Sequence, residues 1–124
     1  MTQLISKPNF YVRVHGFNKH KITLDKIIWA VTKISGYSER ELFASNQERE
    51  ILWWRHCAAY LAHKHTQTTL QAIGLRMGGR DHTTILNAKK KIQDYLDCKD
   101  MLFIDRIKQI ETLLWQTENY HKTY

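Results

Sequence analysis

The chain has 124 residues, a formal charge of +7, 43% hydrophobic residues, five glycines and one proline. That length suits one domain with a modest core needing neither disulfide nor metal. No apolar run approaches the roughly 20 residues needed to cross a bilayer. MTQLISKPNF lacks a signal-peptide core, so a secreted protein is not expected. Cys57 and Cys98 have no CxxC spacing and read as packing residues in a reducing cytoplasm.

Positive charge is unevenly placed. Residues 1–22 carry four Lys or Arg and no acid, and residues 69–92 carry five bases against one acid. Residues 93–124 carry four bases against six acids. A polyanionic partner explains that asymmetry, which a solubilising surface would not require.

Residues 1–21 read as a basic arm, with Arg13, Lys19 and Lys21 as its candidate DNA contacts. Within it Phe10-Tyr11-Val12-Arg13-Val14 has strand-like composition. One strand cannot close a sheet, so the segment is either extended or paired with a second copy. A helical domain is expected over 22–119, with a tail at 120–124. Thr23 is placed as the cap of a first helix, whose stripe of Leu24, Ile27, Ile28, Val31 and Ile34 stops at Gly36. Ser38-Glu39-Arg40-Glu41 opens a short helix ending near Phe43-Ala44. Asn46 is expected to cap a long third helix, running to about His65 with Ile51, Trp54, Ala58 and Leu61 on one side.

Thr68 or Thr69 caps a shorter helix with Leu70, Ile73, Gly74 and Met77, which leads into a glycine turn. There Gly78-Gly79-Arg80-Asp81-His82-Thr83-Thr84-Ile85-Leu86-Asn87 combines a tight reversal, an N-cap at Asp81 and a run of short polar donors. Ile85, Ala88, Ile92 and Leu96 form the buried stripe of the following helix, expected at about 82–96. Short helix, glycine turn and polar-faced helix form a helix-turn-helix arrangement. A last amphipathic helix from about Asp100 presents Phe103, Ile107, Ile110 and Leu114.

The helix after the turn offers three kinds of contact to duplex DNA. Its first backbone N–H groups and the Thr83 and Thr84 hydroxyls suit a phosphate or a base edge. Asp81 and His82 suit base edges. Arg80, Lys89, Lys90 and Lys91 supply charge towards phosphates, with Lys89 nearer the bundle. His63 and His65 stand two apart on different helix sides and cannot share a metal. Gly74–Arg80 lacks the Gly-Lys-Ser/Thr ending of a phosphate-binding loop. With no nucleophile–base pair either, neither catalysis nor a cofactor is expected.

GGRDHTTILNAKKKI closely resembles the signature of the C-terminal DNA-binding domain of the bacterial chromosomal replication initiator, DnaA. The resemblance runs from about Ile22 to about Ile92, more loosely towards Trp115. It implies an all-α helix-turn-helix bundle, similar also to the Trp repressor, and a double-stranded DNA partner. It further implies that Asp81, His82 and Thr83 read bases in the major groove while Thr84 contacts the backbone. Asn87 stands where the family often has a phosphate-contacting histidine, and Arg55 where it has a DNA-contacting arginine. His56 follows Arg55 where a glutamine is common, and Leu70 and Gln71 stand where the family approaches the backbone.

One departure stands out. The family places a minor-groove arginine in a basic loop before the long helix. Ser45-Asn46-Gln47-Glu48-Arg49-Glu50 has one arginine and two acids there. Arg49 is the only substitute in that stretch, and insertion as in the family is not expected. The arm is the expected replacement. Trp53 stands at a family position that is polar; with Trp54 and Trp115 it suggests an exposed aromatic patch for a protein partner, the alternative being packing against the C-terminal helix.

The function implied is sequence-specific duplex binding without ATPase activity, in regulation of replication or transcription. A bacterial nucleoid protein or a phage protein in the bacterial cytoplasm would suit it. The alternative is a protein-interaction module that keeps the fold and binds the initiator or another replication protein. Whether the chain is monomer or homodimer stays open.

Overall fold

A computed structural model describes residues 22–45 and 48–116. The arm, with Arg13, Lys19 and Lys21, and the tail therefore lie outside the described residues. Six helices follow in chain order: α1 (Leu24–Ser35), α2 (Glu39–Phe43), α3 (Arg49–His65), α4 (Leu70–Arg76), α5 (His82–Asp97) and α6 (Met101–Leu114). Among the described residues there is no strand, and the fold is all-α. No helix among them is long and apolar enough to cross a membrane.

Local chemistry sets most of the boundaries. The Thr23 hydroxyl accepts from the Lys26 N–H at 3.2 Å to start α1, which stops at Gly36 with φ 83°. Ser38 and Glu41 form a reciprocal capping box on α2, at 3.1 and 2.8 Å. Thr69, not Thr68, caps α4 through the Ala72 N–H, and Asp100 caps α6 through Leu102. The Asn46 cap expected for α3 lies outside the described residues. Glu48 occupies the flanking position and makes no side-chain cap bond.

α3 is the central element. Its Cys57, Ala58, Ala59, Leu61 and Ala62 are all buried, and it packs against α1, α2, α4 and α5. Small residues let neighbouring helices approach, while Ile27, Val31, Ile73, Ile85, Ile92 and Ile110 fill the space between. At the far end of α3, Glu111 of α6 accepts from His65 at 2.7 Å and Lys64 at 2.9 Å. Burial alone would push the Glu111 carboxyl up, but those two donors outweigh it and hold it below the usual value.

The exposed tryptophan patch is not what forms. Trp53 and Trp54 are only 6% and 5% exposed, whereas Trp115 is 59% exposed. The reason is α6: Phe103 stacks on Trp53 at 4.8 Å, and the Arg106 guanidinium lies 5.2 Å from both indole rings. Trp54 meets Trp53 edge-on at 4.7 Å. The extra indoles thus belong to the α3–α6 contact.

Candidate nucleic-acid interface

The turn between α4 and α5 is built so that α5 begins at a fixed place. The Arg80 N–H donates to the Gly74 carbonyl at 2.8 Å, folding the turn back over α4. A Cβ on Gly74 would collide with the Arg80 carbonyl, so only glycine permits that approach. Gly78 and Gly79 follow with φ 88° and 74°, the left-handed region that side chains rarely adopt.

Asp81 caps α5, one carboxylate oxygen accepting from the Thr83 N–H at 3.0 Å. That bond, the Thr83 hydroxyl and the neighbouring His82 hold the carboxyl below its usual value. Its other oxygen lies 3.5 Å from the His82 ring. Asp81 therefore stays an anion, and its carboxylate remains largely accessible to solvent. The Asp81 and His82 side chains are 66% and 62% exposed.

Ile85, Ala88 and Ile92 bury one stripe of α5 against the body. Thr83, Thr84, Asn87, Lys90 and Lys91 are exposed with Asp81 and His82, while Lys89 is half-buried. The sequence-predicted donors of α5 are thus brought together on and beyond its first two turns. Gln71 is exposed at the start of α4, and Leu70 beside it is half-buried and packed on the core.

Two arginines expected at DNA are engaged elsewhere. Arg55 is 5% exposed; its Nε donates to the Leu42 carbonyl at 2.7 Å and Nη2 to Ala44 at 2.9 Å. Arg80 is half-buried. Its Nη1 donates to Met77 at 2.6 Å and Phe43 at 3.1 Å, and Nη2 to Ala44 at 3.0 Å. Both guanidiniums cap the last turn of α2, where helix carbonyls lack intrahelical partners. Burial, and for Arg55 also the nearby Arg80, lowers their pKa values. The sequence missed this because the acceptors are backbone carbonyls far away along the chain.

His56 is half-buried. Burial, Lys91 and Arg55 push its pKa down to about 4, so it stands neutral at pH 7. Arg49 is exposed at the first position of α3. Glu50 accepts from Trp54 Nε1 at 3.0 Å and lies 3.4 Å from Arg106. One of the two acids expected to repel phosphates is thus held by α3 and α6. The Glu50–Trp54 spacing of four was the available signal, since such pairs meet on a helix.

The described residues contain no group of three or more His, Cys, Asp or Glu able to hold a metal. A short helix, a tight glycine turn and a second helix with a polar front define this chain as a helix-turn-helix protein. The sequence model described as the bacterial dnaA protein helix-turn-helix matches residues 24–92, and the chain belongs to that family.

Its relatives include the chromosomal replication initiator protein DnaA of Bartonella quintana (strain Toulouse), 35% identical over 94 residues. The same-named protein of Lachnoclostridium phytofermentans is 40% identical over 76 residues, and that of Brucella abortus 39% over 74. These alignments cover 76%, 61% and 60% of this chain, but only 19%, 17% and 15% of the relatives. α6 lies beyond the stretch that the family's model matches.

Proposed function

We propose that this chain binds double-stranded DNA by laying the front of α5 in the major groove, without catalysis. The observation that carries this reading is the presentation of Asp81, His82, Thr83 and Thr84. All four are exposed, at the capped start of a helix whose opposite stripe is buried in the body. Asp81 offers an acceptor for a cytosine amino group, and His82 and Thr83 offer donors to base edges. Thr84 and Asn87 face the nearer phosphates, with Lys90 and Lys91 adding charge further along. Gln71, exposed at the start of α4, supplies a further backbone contact in this reading.

His56 enters this scheme as a neutral donor beside Lys91. The relatives are chromosomal replication initiators, which makes replication the nearest context and sites recognised by the initiator the first sequences to test. The protein-interaction alternative draws on exposed tryptophans and on the acid-containing loop; burial of Trp53 and Trp54 takes away the first except at Trp115, and the loop still favours it.

The test is a salt-varied binding assay on an initiator box and a scrambled duplex, comparing wild type with Thr83→Ala and Thr84→Ala. A single hydrogen bond from a hydroxyl is worth about 0.5–1.5 kcal/mol, so Thr83→Ala should weaken selective binding by roughly two- to tenfold. Thr84→Ala should weaken both duplexes alike. If neither change affects any duplex, the major-groove reading is wrong.

A further inference from the structure

We infer that Arg80 is a positioning residue that braces the DNA-facing front of α5 against α2, and not a phosphate contact. This rests on the DNA-binding reading above. Arg80 is the residue immediately before the Asp81 cap, so whatever fixes Arg80 fixes where α5 starts. Its guanidinium spans two separate elements: Met77 in the turn, at 2.6 Å, and the last turn of α2 through Phe43 and Ala44, at 3.1 and 3.0 Å. The backbone of the same residue is held by Gly74 of α4 at 2.8 Å. One residue thus ties α2, α4 and the turn together directly ahead of the four candidate base- and backbone-contacting side chains.

The space for this brace is reserved in the fold. A Cβ added to Gly78 would meet Arg80 Nη1 at 2.5 Å and the Phe43 carbonyl at 3.0 Å. The acceptors also favour a cation, because the C-terminal carbonyls of a helix carry partial negative charge. Arg55 joins the same carbonyl at Ala44 from α3, at 2.9 Å, so the α2 end is an anchor to the core. A planar fork can span several carbonyls at fixed angles, whereas a lysine ammonium is a single point charge. Recognition geometry must hold within about 0.5 Å and 10–20°, and α4 is a helix of only seven residues. A turn tied only by backbone bonds would leave the front of α5 free to tilt beyond that tolerance.

A positioning role and a phosphate contact differ in salt dependence and in rescue by lysine. The experiment compares wild type, Arg80→Ala, Arg80→Lys and, as a reference, Lys90→Ala. It is run at a temperature where circular dichroism shows all four fully folded. Affinity for the initiator box and for a scrambled duplex is measured across salt concentrations. Both Arg80 variants should lose about tenfold on the preferred duplex and little on the scrambled one, with the salt slope unchanged. Lys90→Ala should weaken both duplexes and reduce the slope by about 0.9.

Three results overturn the brace. One is an Arg80→Ala slope reduced by about 0.9 and restored by lysine, the mark of a phosphate contact. Another is wild-type affinity in the folded variants, which leaves a merely structural role. If wild type binds no duplex at all, the DNA reading itself fails, and hydrogen exchange on the free protein decides the brace. Amides from Gly79 to Ile85 should exchange about tenfold faster in Arg80→Ala; unchanged protection there is the third overturning result.

Discussion

The starts of α3 and α5 are both helix N-termini rich in polar residues, and they are used in opposite ways. α5 opens on a side-chain cap and a double-glycine turn, with its polar residues left exposed. α3 opens without a side-chain cap bond; Glu48, Arg49 and Glu50 are exposed there, and burial begins at Ile51. There Glu50 engages Trp54 and Arg106, and Trp53 is covered by Phe103. Position at a helix front therefore does not make a contact surface. What matters is whether the polar groups already have partners inside the molecule.

Replacing Trp53 with alanine should break the α3 side of that contrast hardest. It removes a buried indole held by Phe103, Trp54 and Arg106, and should cost about 3–5 kcal/mol in chemical denaturation. DNA affinity of the fraction still folded should be nearly unchanged, because Trp53 lies away from the front of α5. A loss of binding without loss of stability would make Trp53 part of the interface after all.

The second effect concerns pH. His56 titrates at about 4 in the fold against an ordinary value of 6.5, so the folded protein binds fewer protons between those values. Its contribution to stability is fully present above pH 6.5 and is lost as pH falls through 6.5 towards 4. Between pH 7 and pH 5 the loss should be about 1 kcal/mol, roughly half the full linkage value, because solvent screens a ring that is only half-buried. His56→Gln should remove that part of the acid sensitivity and leave the rest, which includes Glu111 and Asp81. Identical pH profiles for the two proteins would contradict the assignment.

Asp81→Asn sharpens the α5 side. Asparagine still caps, so thermal stability should barely change. Preference among duplexes should shift, because an amide NH2 donor replaces one of the two acceptor oxygens; an unaltered preference would remove Asp81 from base readout. The smallest effect belongs to Glu50→Gln, whose partners are partly exposed. It should change stability by roughly 0–1 kcal/mol and raise affinity for any duplex slightly if Glu50 lies near phosphates. Unchanged affinity fits a carboxylate already engaged by α6.

What the sequence made legible was local. Helix stripes, the caps at Thr23 and Asp81, and the turn at Gly78-Gly79 need only neighbours a few residues away. The polar front of α5 was legible for the same reason, with burial of Ile85, Ala88 and Ile92 fixing which side faces out. What escaped was long-range. The bonds that Arg55 and Arg80 make to the carbonyls of Leu42, Phe43 and Ala44 join residues far apart in the chain, and no local spacing signals them. Trp53 looks superfluous until α6 folds over it. Glu50 looks repulsive until Trp54 and Arg106 engage it.

Amide chemical-shift mapping during titration with an initiator-box duplex probes both helix fronts at once. The largest perturbations should fall at Asp81 to Thr84 and at Asn87, with smaller ones at Gln71 and Lys91. Trp53, Trp54 and the first turn of α6 should change little. Perturbations centred on α6 and the start of α3, with the front of α5 silent, would show that the DNA lies on the wrong side of the molecule for the reading given above.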